Sequence, residues 1–179
     1  MRPVLPHSLR LEVLAKHHMR KEFYCGNESL DQYLRAQAGQ DMRRKANAVF
    51  VLVPEENTAH ILGYFTLCAC GLAPGEIPED VRGYLPRYPQ VSAILLGRLA
   101  IQKSMQGRGL GGILLAHALR RVWESVESIG SSMVVVDVLD EKAASFYRAH
   151  GFLQLHDSMR LILPMRTIGQ LIRKPDQDD

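Results

Sequence analysis

Residues 93–139 read AILLGRLAIQKSMQGRGLGGILLAHALRRVWESVESIGSSMVVVDVL, and their order decides the fold. Ala93 to Ile101 is an apolar run of strand length, and Gln106 to Gly112 is rich in glycine. From Ile113 to about Ser128, Leu114, Leu115, Ala118, Leu119, Val122 and Val126 recur at helical spacing. Gly130 stands where a helix C-cap is expected, and Met133 to Leu139 is a second buried strand. Strand, helix and strand in this order imply a parallel, right-handed crossover.

Working outward, Ser29-Leu30-Asp31-Gln32 has the form of a capping box. It predicts a helix to about Lys45 with Leu30, Tyr33, Leu34, Ala38 and Met42 inward. Val49 to Val53 and Ile61 to Cys70 are expected as strands across a turn-rich stretch. Four prolines between residues 74 and 92 (Pro74, Pro78, Pro86, Pro89) predict a loop with one short helix. Asp140 can cap a helix that Gly151 ends, and Phe152 to His156 pairs with Met159 to Leu163 as a hairpin. The expected class is α+β, an α/β sandwich with a mixed twisted sheet of about six to seven strands and helices on both faces. Residues 1–170 are expected to form a single domain, and 171–179 a polar, disordered tail ending in the acidic run Asp176 to Asp179.

The chain has 179 residues, 46% apolar and 23% charged, which suits one domain with a sizeable core and excludes collagen-like repeats, wholesale disorder and a membrane bundle. The apolar run Ala48 to Val53 is far short of the ~20 residues of a spanning helix. Arg2, Pro3, Pro6 and His7 interrupt the N-terminus where a signal peptide would be apolar, so a cytoplasmic location is expected. Three cysteines, with Cys68 and Cys70 in an apolar run, suggest buried small side chains rather than a zinc site. The seven histidines show no paired ligand spacing, and no metal is expected.

Glycines let a backbone turn and approach a ligand closely, and here a helix follows at once. Its free N–H groups and positive dipole end suit a phosphate, with Lys103 and Arg108 adding charge. Gly107-x-Gly109-x-x-Gly112 formally matches a dinucleotide fingerprint, but five residues separate it from its strand and too little chain follows for further βαβ units. The G-x-x-x-x-G-K-[ST] phosphate loop is absent. A structural glycine turn and a Q-x-x-G-x-G pyrophosphate loop remain.

Gln106-Gly107-Arg108-Gly109-Leu110-Gly111, preceded by Leu99-Ala100-Ile101 and followed by Ala143-Ala144-Ser145-Phe146-Tyr147-Arg148-Ala149-His150-Gly151-Phe152, resembles the GCN5-related N-acetyltransferases in order and spacing. Phe23-Tyr24-Cys25-Gly26, Leu30-Asp31, Tyr33-Leu34, Gly63 to Leu67, Pro86 to Pro89, Gly97-Arg98 and Arg160 to Met165 extend the likeness to the acetyltransferase toxins of bacterial toxin–antitoxin pairs, over about residues 20–168. The resemblance implies acetyl-CoA as cosubstrate. It implies cofactor contacts at Leu99, Ala100, Ile101, Gln106, Gly107, Arg108, Gly109, Leu110, Gly111, Gly112, Asp140, Ala143 and Phe146. Position 140, Asn in many members of the superfamily, is Asp140 here. The resemblance further implies aminoacyl-tRNA as substrate, arrest of translation, a ribbon-helix-helix antitoxin that brings operator DNA, and a homodimer.

Acetyl transfer to an amine needs the cofactor held, the carbonyl polarised, the amine neutral and the leaving thiolate protonated. A strand at Leu99 to Ile101 can pair with pantetheine amides as an added strand does. The backbone N–H of Ile101 is a candidate to polarise the carbonyl. Tyr147 is the candidate general acid, a phenol of ordinary pKa ≈ 10 facing a thiolate whose acid lies near 8.5. The alternative is a core tyrosine bonded to backbone. Ala143, one turn before it, leaves room beside the ring. No base stands out, since Glu124 and Glu127 are expected on a solvated helix face. That absence suits an α-amine, of pKa ≈ 7.7–8.0, better than a lysine amine at ≈ 10.4. The alternatives are an N-acetyltransferase for a small-molecule amine or protein N-terminus, and a non-catalytic acyl-CoA-binding module.

The net charge of +3 is unevenly spread. Residues 1–50 carry nine Lys/Arg against five Asp/Glu, residues 51–97 two against five, and residues 98–130 five against two. Lys16, Arg20 and Lys21 flank Phe23-Tyr24, and Arg35, Arg43, Arg44 and Lys45 follow on the first helix. With the family resemblance they become candidates for the tRNA backbone, against the alternative of an ordinary solvated face. Arg98, inside an apolar strand, needs a partner: RNA, cofactor, or a carboxylate such as Asp137.

Overall fold

The computed structural model describes residues 8–156 and 158–173. The acidic run Asp176 to Asp179 lies outside them. Seven strands form one mixed sheet in the order β1-β2-β3-β4-β5-β7-β6, flanked by helices. They are β1 (Leu9–Val13), β2 (Ala48–Pro54), β3 (Gly63–Leu72), β4 (Val91–Ile101), β5 (Met133–Asp137), β6 (Leu153–Gln154) and β7 (Arg160–Pro164). The helices are α1 (Glu28–Gln32), α2 (Ala38–Arg43), α3 (Glu79–Arg82), α4 (Leu110–Ser125), α5 (Glu141–Ala149) and α6 (Met165–Arg173). The expected α+β class with a mixed sheet stands. β4 and β5 are parallel, as their helical crossover requires, while β1 with β2, β2 with β3, β5 with β7 and β6 with β7 are antiparallel.

The chain falls into two compact units, 1–68 with 97–118, and 69–96 with 119–179. In the first, Leu34, Ala38, Val49, Val51, Val53, Tyr64 and Ala100 pack into one apolar cluster. In the second, Leu72, Val91, Met133, Val135 and Ile162 do the same. Each large apolar side chain so buried contributes roughly 1.5–3 kcal/mol, which is why the strands read as nearly continuous apolar runs.

Several boundaries differ from expectation for identifiable reasons. β1 is not among the expected strands, although Leu9, Leu11 and Val13 alternate with Arg10 and Glu12. The first helix is capped by Asn27, whose side chain accepts the Leu30 N–H, so the box at Ser29 is not the cap. It is also interrupted. A π-turn at Tyr33–Gln37 carries the Ala38 N–H back to the Tyr33 carbonyl before α2 resumes. α4 starts at Leu110 rather than Ile113, because Leu110 is itself buried and the Ile113 N–H bonds Gly109 O. Gly111 and Gly112 therefore belong to the helix. α4 ends at Ser125, so Gly130 is not its cap. α6 takes in residues 171–173 of the expected tail, because Ile168 is buried and Arg173 lies over the Trp123 ring.

Candidate active site and cofactor loop

In the first unit, the site is built on the end of β4. The parallel register of β4 with β5 covers Ala93–Leu95 against Met133–Val135, and β4 then runs on to Ile101. Leu99 is half-buried; Ala100 and Ile101 are buried. A short 3-10 turn, Lys103–Met105, leads into the glycines. Met105 and Leu110 are buried on either side and pin the loop. Between them Gly107 and Gly109 take φ of +75° and +80°, a conformation that costs a side-chain-bearing residue about 1–2 kcal/mol. A Cβ at either position would meet nothing within 4 Å, so the concave side is open. The first-turn N–H groups of α4 and the half-buried Arg108 complete a cradle suited to a pyrophosphate.

Gln106 differs in role from its neighbours. Its side-chain amide donates to Cys25 O at 2.8 Å and Ile101 O at 2.9 Å, so its N–H donors brace the loop. Tyr24, inside the matching stretch Phe23 to Gly26, and Gln102 join the same brace, and no local sequence signal marks Gln102 as functional.

In the second unit, α5 carries the acid candidate. Asp140 is the N-cap, its carboxylate accepting the Ala143 N–H at 2.8 Å, so that oxygen serves the helix. Ala143 and Phe146 are half-buried. The Tyr147 ring is buried edge-on against Phe146 and Phe152, with centroids 5.1 and 5.2 Å away. Its hydroxyl makes no hydrogen bond with any of the described residues, unlike those of Tyr33 and Tyr64. The expected alternative, a core tyrosine tied to backbone, is not what the structure holds. Burial pushes the Tyr147 phenol up from its ordinary value, so it keeps its proton through neutral pH.

The basic residues of the first unit separate into two sets. Lys16, Lys21, Arg43, Arg44 and Lys45 are exposed; Arg20, Arg35 and Arg98 are partly buried. A Cβ on Gly39 would stand 2.9 Å from Arg20 Nη1 and 3.5 Å from Arg43 Nη1, so the two guanidinium groups gather over that glycine. Arg35 Nε is buried without a hydrogen-bond partner. Arg20, Arg35, Arg43 and Arg98 form no salt bridge among the described residues. Arg98 instead stacks on Tyr33, and Asp137, its candidate carboxylate, is held by Arg160. The reason is register: Asp137 and Arg160 are direct cross-strand partners.

Other candidate chemistry is quiet. Glu124 is exposed beside Arg121, as expected of a solvated face. Cys25 is buried and desolvation raises its thiol to about 11, so it is inert at neutral pH; Cys68 and Cys70 are half-buried. Glu12, His17 and His18 bring ligand atoms within 4.8 Å of one another. His18 Nδ1, however, accepts the Ala15 N–H at 2.8 Å, which leaves the ring proton on Nε2, facing Glu12 at 3.3 Å. A metal there would have to displace that proton and orphan the Ala15 N–H. No helix of the described residues is long and apolar enough to cross a membrane.

Comparison with known proteins shows the family and the fold. The profile described as acetyltransferase (GNAT) domain matches residues 47–154. A tRNA-acetylating toxin of Mycobacterium tuberculosis is 33% identical over 151 residues, covering 84% of this chain and 88% of its own length. Among solved structures, AtaT complexed with acetyl-methionyl-tRNAfMet superposes with a TM-score of 0.84 at 30% identity, over 92% of this chain and 99% of that one. A tyrosine-to-phenylalanine variant of AtaT bound to the C-terminus of the antitoxin AtaR and acetyl-CoA gives 0.77 at 29% identity, over 93% and 99%.

Proposed function

The chain belongs to the GNAT acetyltransferase family, and we propose that it moves the acetyl group of acetyl-CoA to the α-amine of the amino acid on charged tRNA, blocking translation. It is an acetyl-CoA-dependent N-acetyltransferase. One observation carries the nucleic-acid part of this reading. The unit that holds the open glycine loop also carries Arg20, Arg35, Arg43 and Arg98, none of them in a salt bridge among the described residues. Arginines without a salt-bridge partner suit a phosphate backbone.

Bound acetyl-CoA supplies an activated thioester. Gly107 to Gly112 receive its pyrophosphate through backbone N–H groups, with Arg108 adding charge. Leu99 to Ile101 offer strand edges to its amide arm, and the Ile101 N–H polarises the carbonyl. With acetyl-CoA bound, the amine nitrogen would form the new C–N bond as the C–S bond breaks, and Tyr147 would give its hydroxyl proton to the departing sulfur. The proton shed by the new amide nitrogen would restore the phenol, which burial keeps protonated between turnovers. Asp140 and Ala143 shape the start of α5 beside it. Lys16, Lys21, Arg44 and Lys45 extend the positive surface that takes the tRNA. Partners are a ribbon-helix-helix antitoxin that carries operator DNA, and a second copy of this chain. The location is cytoplasmic.

The deciding experiment incubates the protein with acetyl-CoA and total charged tRNA and identifies acetylated aminoacyl nucleotides by mass spectrometry. Acetylated aminoacyl ester is the expected product. Acetylation only of free amines or peptide N-termini would replace this acceptor with another.

A further inference from the structure

All four backbone polar groups of Tyr24 and Cys25 are satisfied by residues outside the two-residue segment. The Tyr24 N–H donates to Gln102 Oε1 at 3.0 Å, and Tyr24 O accepts the Lys103 N–H at 2.7 Å. Cys25 O accepts the Gln106 side-chain amide at 2.8 Å, and the Cys25 N–H donates to Asp31 Oδ1 at 2.8 Å. Three of these bonds run to residues 102–106, the approach to the glycine loop; the fourth runs to α1. Gly26 then turns away at φ +92°, and the Lys103 stem lies so close that a Cβ there would be 3.4 Å from Lys103 Cδ. The segment is therefore a rail on which the approach to the loop hangs.

Asp31 fixes the other side of that rail. It is fully buried, yet its Oδ2 has no hydrogen-bond partner. A buried carboxylate with one oxygen unsatisfied is costly, and an apolar residue would fill the same space more cheaply. A Cβ at Gly107 or Gly109 would touch nothing, so no packing covers the glycines themselves. The loop's position depends on Met105, Leu110 and the double grip of Gln106. We propose that Asp31 is a positioning residue for cofactor binding, acting through Cys25 and Gln106 to set the loop that receives the pyrophosphate. This rests on the acetyl-CoA reading above.

The test compares Asp31→Ala, Asp31→Asn and Gln106→Ala with the wild type. Affinity for coenzyme A is measured by calorimetry, and KM is measured for acetyl-CoA and for acetyl-pantetheine, which lacks the pyrophosphate. Asp31→Ala is expected to weaken coenzyme A by about tenfold or more, as loss of a buried hydrogen-bond acceptor does. The loss should be at least about fivefold greater for acetyl-CoA than for acetyl-pantetheine. Asp31→Asn keeps an oxygen acceptor and should recover most of the affinity. Equal losses on both thioesters would assign Asp31 to general stability and overturn the proposal, as would an Asn variant no better than Ala. Should Asp31→Ala fail to fold, Gln106→Ala, at an exposed position, carries the same differential test. A wild type that binds no coenzyme A would sink the acetyltransferase reading and this proposal together, whereas normal binding by every variant would sink the proposal alone.

Discussion

The Arg98 guanidinium lies 3.5 Å above the ring centroid of Tyr33, while the Tyr33 hydroxyl donates to Asp41 Oδ2 at 2.9 Å. An arginine inside an apolar strand is thus accommodated by an aromatic face, with the Asp41 carboxylate acting on it beyond salt-bridge distance. Burial and the hydrogen bond to Asp41 push the Tyr33 phenol up, and hydrogen bonds from Asn47 and Tyr33 hold Asp41 below its ordinary value. The ring stays neutral beneath the cation.

A double-mutant cycle on Arg98→Lys and Tyr33→Leu should give a coupling of about 0.5–2 kcal/mol in urea unfolding, the range of a partly desolvated cation–π pair. Lysine cannot stack as the flat guanidinium does. Additive losses would mean that the two side chains merely share a neighbourhood.

Tyr147→Phe should reduce acetyl transfer by about a hundredfold or more while leaving coenzyme A affinity within a few-fold. Its hydroxyl bonds no described residue, so the thermal midpoint should hardly move. Because burial raises the phenol, the wild-type rate should climb from pH 6.5 to 8.5 as the acceptor amine loses its proton near 7.7–8.0, with no falling limb below about pH 9. An amide-linked aminoacyl analogue keeps the acceptor intact over that range. A fall near pH 8 would point to a different acid.

The parts of this arrangement that are legible in the sequence are those set by local pattern. Strand β4, the glycines, α4 and β5 follow from apolar periodicity and backbone freedom over one continuous stretch. The cap at Asp140 and the stop at Gly151 follow from local chemistry as well. What escapes a reading of the sequence depends on distant partners. Asp137 looks like a partner for Arg98 until the strand register sets it opposite Arg160. Gln106 looks like a ligand until Cys25, 81 residues earlier, takes its side chain. α6 carries a short apolar face, Met165, Ile168 and Ile172, but Gly169 inside it lowers helix propensity and obscures it. The helix shows its reason only when Gly169 is set against Trp123.

Removing Arg20 and Arg43 together should weaken tRNA binding and lower its salt slope by roughly one unit for each phosphate no longer engaged. Replacing Arg82 and Arg121 removes the same formal charge elsewhere and should change the slope less. Equal slopes for both double variants would remove the Gly39 surface from the tRNA site.

His18 offers a pH test of the N-terminal corner. Burial holds its pKa below the ordinary 6.5, outweighing the hydrogen bond to Glu12; His17 pushes the same way and Glu12 the other. The unfolded chain therefore takes up this proton at a higher pH than the folded one. The stability due to the neutral ring is complete above about pH 6.5 and is lost as pH falls from there toward the lower folded value. Between pH 7.5 and 5.0 the wild type should lose more unfolding free energy than His18→Gln; parallel profiles would contradict this.

Gly169→Ala should destabilise by about 1–3 kcal/mol, even though alanine favours a helix by up to ~1 kcal/mol. The new methyl would lie 2.6 Å from the Trp123 ring. In a Trp123→Leu background the same change should become neutral or favourable, as read from thermal unfolding.

The strand order carries one further consequence. β7 is the last of the seven strands to be made, yet it lies inside the sheet, between β5 and β6. Until Arg160 to Pro164 leave the ribosome, β5 presents a bare edge and Asp137 lacks Arg160. The sheet is thereby kept open at β5 until the last of its strands emerges, and its closure waits on residues far along the chain from the site on β4.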